Sequence, residues 1–267
     1  MTTDFDAYER DLWAGRAGAY ERGFARLTAR AIGPLLDAAG VTEGSRVLDL
    51  GTGPGFVAAE ASRRGAKVSA VDADPQMAET AARNAPAAEV RVAVLPDLPY
   101  ADETFDAVVG NFVINHVGEP ATTLKELRRL LRPGGRLALT CWVMPGSGVL
   151  AVVRDAMEDA GVPWPDDVPR SPFMEYGQPD PFAALVGGVF RETAVERLDW
   201  DFAFDPREWW EDVATARVGS NGLVLSRQDP PTVARVREAY DRRLTSFTVE
   251  DGRVSVPAHA LLARGLR

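Results

Sequence analysis

Val47-Leu48-Asp49-Leu50 running into Gly51-Thr52-Gly53-Pro54-Gly55, with Phe56 to Arg64 behind it, decides the fold. A short apolar strand meets three glycines within five positions, and an alanine-rich helical run follows. Without a Cβ at Gly51, Gly53 and Gly55, bare backbone comes close to whatever lies against the turn. The helix beyond it presents unpaired N–H groups. A dinucleotide site spaces its glycines G-x-G-x-x-G. Here the spacing is G-x-G-x-G, and Pro54 removes an N–H that a phosphate would use. Asp49, two residues before the first glycine, repels a pyrophosphate. The turn suits a positively charged ligand, such as an amino group or a sulfonium, and favours a cationic nucleoside over a dinucleotide.

Outward from the turn, strands alternate with helices. Lys67–Val71, Val90–Leu95, Phe105–Asn111 and Arg136–Trp142 read as strands, and Pro75–Asn84 and Ala121–Leu131 as helices. That alternation predicts an α/β fold, a doubly wound and mostly parallel sheet with helices on both faces. Pro133-Gly134-Gly135 reads as a tight turn that stops the helix before it. Upstream, Asp6–Ala39 reads as helix, with Leu27, Ala31, Leu35 and Ala38 on one face and Gly33-Pro34 as the expected break. Downstream, Val149–Ala160 looks helical and Gly161–Pro181 is rich in proline. Arg191–Phe204 alternates like a strand, Pro206–Arg217 and Pro231–Phe247 read as helices, and Arg253–Arg267 closes as a strand. Seven strands result, with a helical cap inserted before the last. We therefore expect one structural domain with insertions: residues 1–40 an N-terminal helical lid, 41–145 a cofactor-binding core, and 146–267 the rest of the sheet with an acceptor-binding cap. Asp72 closes the second strand, about 20 residues beyond Gly51, where an acid accepts hydrogen bonds from ribose hydroxyls.

These residues resemble the class I S-adenosylmethionine-dependent methyltransferases, in particular the quinone- and small-molecule-methylating branch. The glycine motif Asp49–Gly55 matches, as does Val71-Asp72-Ala73-Asp74-Pro75-Gln76-Met77. Leu98-Pro99-Tyr100 with Phe105-Asp106-Ala107-Val108, and Leu127–Gly135, follow in the family's order. The resemblance covers Arg46 to Trp142. It implies a Rossmann-like fold and S-adenosyl-L-methionine as methyl donor, with S-adenosyl-L-homocysteine as product. Asp49 and Gly51, Thr52, Gly53 and Gly55 would then lie along the methionine and ribose, Asp72 would bind the ribose hydroxyls, and Ala73 and Met77 would flank adenine. Where the family has an acid for the adenine amino group this chain has Val94; Asp97 from a shifted position, or the backbone at Leu95, takes its place.

Asn111 and Ile114-Asn115-His116-Val117 follow the fourth strand, at the carboxyl edge where open α/β sheets bind ligands. Methyl transfer from a sulfonium is an in-line displacement that asks mainly for alignment and exclusion of water. Tyr8, Trp13 and Tyr20 are candidates for cation–π contact with the sulfonium. His116 is the histidine placed as a general base, needed only where the acceptor must lose a proton; otherwise it shapes the pocket. Trp142, His116 and Asn115 are the candidate acceptor contacts. Trp164, Phe173, Tyr176, Trp209 and Trp210 either wall the acceptor pocket or form the core of the cap. Cys141 reads as a buried small hydrophobe and His259 as structural.

Composition narrows the rest. The 267 residues are 46% hydrophobic and 26% charged, an ordinary globular balance. A net charge of −9 argues against nucleic acid as partner. One cysteine excludes an internal disulfide and fits a reducing compartment. With two histidines besides, no metal site is expected. The acidic start Met1-Thr2-Thr3-Asp4-Phe5-Asp6 lacks a secretory leader. The longest uncharged run, 137–153, is broken by Pro145-Gly146 and is too short for a membrane helix. The expectation is a soluble cytoplasmic enzyme, monomer or homodimer, that methylates a small organic acceptor on oxygen, nitrogen or carbon. The alternatives are a repurposed or non-catalytic S-adenosylmethionine-binding member such as a cyclase, and a nicotinamide-dependent oxidoreductase, against which Pro54 and Asp49 argue.

Overall fold

A computed structural model describes residues 3–267; Met1 and Thr2, the start of the stretch read as lacking a leader, lie outside the described residues. The chain opens with α1 (Asp4–Trp13), α2 (Ala17–Arg22), α3 (Phe24–Thr28) and α4 (Ile32–Ala38). The core follows as β1 (Arg46–Leu50), α5 (Phe56–Arg63), β2 (Lys67–Asp72), α6 (Pro75–Asn84), β3 (Glu89–Val92), β4 (Phe105–Asn111), α7 (Pro120–Leu130) and β5 (Leu131–Trp142). After it come α8 (Val152–Asp159), α9 (Pro179–Gly187), β6 (Arg191–Phe204), α10 (Pro206–Trp209), α11 (Gly219–Ser226), α12 (Pro230–Leu244) and β7 (Val254–Leu266).

The seven strands form one sheet in the order β3-β2-β1-β4-β5-β7-β6. The five strands from β3 to β5 in this order run parallel, while β7 lies antiparallel between β5 and β6. This is the expected α/β fold, with the expected insertion before the last strand. β1 lies inside the sheet, between β2 and β4, and is covered on both faces, which is why four consecutive residues, Val47 to Leu50, are buried. Val47 packs with Leu35, Leu36 and Ala58 on one face, and Leu48 and Leu50 pack with Leu124 and Leu127 on the other. A third apolar cluster, including Trp142, Phe202, Trp209 and Tyr240, lies under the cap.

Three local expectations are corrected. The N-terminal helical stretch breaks around Gly15, whose φ is 73°, and at Gly23, not at Gly33-Pro34. Pro34 falls in the first turn of α4, where its missing N–H has no intrahelical partner to lose. The Pro133-Gly134-Gly135 turn does not separate helix from strand. α7 has already ended at Leu130, and the turn is an outward loop within β5, since Phe105 pairs with Leu131 and Ala107 with Arg136. The cap holds α10, a π-helical turn over Trp210–Thr215, α11 and α12, and a further helix, α9, begins at the end of the proline-rich stretch. Pro179 and Pro230 mark helix starts, the position at which proline's fixed φ favours a helix. No helix among the described residues is long and apolar enough to cross a membrane.

Candidate active site

The three glycines of the turn do different work. All take positive φ: 52° at Gly51, 54° at Gly53 and 87° at Gly55. A Cβ on Gly51 would stand 2.4 Å from a methyl of Val113, and one on Gly55 would stand 2.7 Å from Cα of Ala81. Those two glycines let the β4 loop and α6 close onto the turn. Gly53 instead faces a cavity, where an added Cβ would meet only the Tyr20 ring, at 3.5 Å.

Two carboxylates lie at this turn in different surroundings. Asp49 is buried beneath it, accepting the Thr52 hydroxyl at 2.6 Å through Oδ2, while Oδ1 has no partner. Burial pushes its carboxyl up to about 7; the Thr52 hydrogen bond opposes the shift and the charge of Asp72 adds to it. Asp72, half-buried at the end of β2, accepts the N–H of Gly53 at 2.8 Å and of Asp74 at 2.9 Å. Burial raises its carboxyl above the usual carboxylate range, against the pull of those two bonds.

Above the turn is a cavity of about 1130 Å³ at the carboxyl edge of β1, β2, β4 and β5. Its wall brings together Gly51, Gly53, Asp72, Ala73, Met77 and Leu95 with Trp13, Tyr20, Asn111, Asn115, His116 and Trp142. Asp49, Thr52 and Gly55, also expected to lie along a ligand, do not line it. Val94 lines the wall, whereas Asp97 is exposed and does not.

The loop after β4 is built with strain and order. Phe112 has φ 56°, a left-handed conformation for a bulky residue, held because its N–H bonds Thr140 Oγ1 at 2.9 Å. Thr140 donates on to Asn111 Oδ1 at 2.8 Å, and Asn111 Nδ2 reaches the carbonyl of Thr28 at 3.2 Å. The amide of Asn111 is thus taken up in tying α3 to the sheet. Asn115 keeps a buried side-chain oxygen without a partner, and its backbone carbonyl accepts Ser171 Oγ at 2.6 Å.

His116 Nδ1 lies 2.8 Å from Oε2 of Glu9, on α1, and the indole N–H of Trp13 donates to the same oxygen at 2.9 Å. The Trp13 ring stands edge-on to both His116 and Tyr20, with centroids 5.2 and 5.4 Å apart. Sequence reasoning missed Glu9. The available signal was Glu9 four residues before Trp13, which sets carboxylate and indole on one helix face. α1 is fastened at two further points: Asp6 accepts the N–H of Gly118 at 2.8 Å, and the Tyr8 hydroxyl meets Ser220 Oγ at 3.2 Å. Tyr8 does not line the cavity.

Of the aromatic candidates, Trp142, Trp164, Phe173 and Trp209 line the cavity and Tyr176 and Trp210 do not. Trp142 stacks on Phe112 with centroids 4.0 Å apart. Trp210 packs on Tyr240 beneath the Arg237 guanidinium. Cys141 is buried, which pushes its thiol well above the usual range. His259 lies away from the cavity on β7, with Nδ1 2.5 Å from Asp199 on β6.

Residues 48–139 match a family model described as a methyltransferase domain. A demethylmenaquinone methyltransferase of Clavibacter sepedonicus is 39% identical over 116 residues, which are 42% of this chain and 44% of that protein. The chain spans half or less of the length of the curated relatives it matches. Among solved structures, the YcgJ protein of Bacillus subtilis aligns over 89% of this chain and 98% of its own at a TM-score of 0.55 and 21% identity. The [4+2]-cyclase SpnF aligns over 89% and 80% at 0.53 and 19%. These two likenesses concern the fold. The motifs over residues 48–139 therefore coincide with the stretch that matches the methyltransferase-domain model.

Proposed function

We propose that this chain, whose residues 48–139 match a methyltransferase-domain model, is a class I methyltransferase that transfers a methyl group from S-adenosyl-L-methionine to a small organic acceptor. The observation that carries the reading is the cavity floor: the bare turn at Gly51 and Gly53, with the Asp72 carboxylate beside it, at the carboxyl edge of a parallel sheet. In this reading Asp72 holds the ribose hydroxyls, and Ala73, Met77 and Leu95 with Val94 surround adenine. The residues present fit such a group: Gly53 leaves a cradle that a Cβ would fill, and the free Oδ1 of Asp49 lies buried under the turn. The bound donor supplies a methyl group on a sulfonium with a strong leaving group. Trp13 and Tyr20 offer that cation aromatic faces, the helices up to residue 40 act as a lid, and the segment 146–267 supplies the acceptor cap.

The cavity exceeds the usual range of roughly 300–1,000 Å³ for a single small-ligand pocket, which leaves room for a second molecule beside the nucleoside. Trp142, Asn115 and His116 face that space. A net charge of −9 speaks for a small molecule over nucleic acid, and the free thiol of Cys141 suits the cytoplasm. Titration calorimetry with S-adenosyl-L-homocysteine tests the proposal: binding in the micromolar range is expected. Absence of binding at tens of micromolar, in protein shown to be folded by circular dichroism, overturns it.

A further inference from the structure

We infer that Glu9 and His116 form a hydroxyl-activating pair, so that the acceptor is a phenol and the methyl group goes to oxygen; this rests on the reading above that the cavity holds the methyl donor. Glu9 is 8% exposed, on a helix turn that also carries a wall of the cavity. A buried carboxylate is costly unless partnered. Both of its partners, the Trp13 N–H at 2.9 Å and His116 Nδ1 at 2.8 Å, belong to side chains that line the cavity. With Nδ1 committed to Glu9, Nε2 is the ring nitrogen left for a ligand, and it makes no hydrogen bond to the chain among the described residues. A carboxylate behind an imidazole fixes the tautomer and steadies the imidazolium that forms when the ring takes a proton.

That arrangement answers one chemical need. A phenolic hydroxyl in water ionises near pH 10, so at neutral pH its oxygen is a poor nucleophile until a base takes the proton. As the phenol oxygen attacks the methyl carbon, the O–H proton passes to Nε2 of His116. The C–O bond forms, the C–S bond breaks, and its electron pair stays on sulfur as the neutral thioether. The products are the aryl methyl ether and S-adenosyl-L-homocysteine, with the proton on the imidazolium until solvent removes it. Trp142, Val149, Val153, Met157 and Trp164 give the cavity the apolar walls that an aromatic ring fills. His116 is then the catalytic residue and Glu9 a positioning residue.

The test uses the full chain, 2-naphthol as probe and a series of ring-substituted phenols of graded acidity. With the methyl donor, His116→Gln is expected to lose about 10²–10⁴-fold in rate on weakly acidic phenols. On phenols already ionised at the assay pH it should lose less than tenfold, a difference that a merely structural role would not produce. Glu9→Gln should lower kcat about 10–100-fold with little change in KM, by analogy with outer partners of functional histidines; if that variant fails to fold, the His116 comparison decides. Failure of the wild-type protein to bind the homocysteine product refutes the underlying methyltransferase reading. Binding of that product with no transfer to any phenol, or with an equal loss across the acidity series, overturns the phenol proposal alone.

Discussion

Oδ2 of Asp72 accepts the backbone N–H of Gly53 at 2.8 Å, across 19 residues of chain. The carboxylate assigned to the ribose therefore also steadies the turn on which the rest of the nucleoside would lie. Asp72→Ala removes both roles, whereas Asp72→Asn keeps a carbonyl oxygen for Gly53. We expect the dissociation constant for S-adenosyl-L-homocysteine to rise at least tenfold in the alanine variant, equivalent to about 1.4 kcal/mol, and by less in the asparagine variant. Calorimetry beside thermal unfolding separates this from global loss of the fold. Unchanged affinity in Asp72→Ala refutes the ribose assignment.

Gly55 and Gly134 both hold left-handed backbone, at φ 87° and 76°, but only Gly55 has a neighbour in the way. A Cβ at Gly134 meets nothing within 4 Å, and one at Gly55 meets Cα of Ala81 at 2.7 Å. Gly134→Ala should cost about 1–2 kcal/mol, the conformational term alone. Gly55→Ala should cost clearly more, because α5 and α6 must separate. Urea unfolding of both variants checks the ordering, and equal losses would mean that the close approach is not what demands glycine.

Asp49 gives the ligand-free protein a pH signature. Its carboxyl is raised from 3.8 to about 7 by burial, so between those values the folded chain holds a proton that the unfolded chain has released. Stability is therefore highest below the unfolded value and falls as pH rises through the window from about 4 to 7, by at most about 4 kcal/mol. Asp49→Asn cannot ionise and should lack that downward slope. Thermal unfolding at pH 5 and pH 8 for both proteins provides the check; parallel pH dependence in the two would show that Asp49 is ionised in the fold.

Gly118 is the point at which the β4 loop touches the start of α1. A Cβ there would stand 2.0 Å from Oγ1 of Thr3, beside the bond from its own N–H to Asp6. Gly118→Ala should lift α1 from the loop and lengthen the Glu9–His116 contact, while the sheet stays intact. Hydrogen exchange is expected to accelerate in α1 by tenfold or more and to remain unchanged in β1 and β4. Uniform acceleration across the chain would show instead that α1 is integral to global folding.

Where signals are local, the sequence was legible. Pro75–Asn84, Phe105–Asn111 and Arg191–Phe204 have the boundaries that periodicity and punctuation assign them. The glycine turn and Asp72 sit on the cavity floor because strand, turn and helix N-terminus follow directly from neighbouring residues. Proline marks a helix start that went unassigned: α9 begins at Pro179, at the end of the stretch read only as rich in proline. The position of Asp49 under the turn depends on which face of β1 each residue takes. The Glu9–His116 contact spans 107 residues and exists only because α1 folds across the β4 loop. A contact of that separation leaves no spacing in the chain to read.

The placement of β7 has a consequence for synthesis. β5 and β6 each pair with β7 and not with each other, yet β7 is the last of the seven strands to be made. Until residues 254–266 have emerged, the inner edge of β5, ending at Trp142 in the wall of the cavity, carries unpaired N–H and C=O groups. A nascent chain in that interval exposes a seven-residue edge, Arg136 to Trp142, open to pairing with another chain. Ribosome-bound intermediates cut short of residue 254 should therefore depend on chaperones in a way that the finished chain does not.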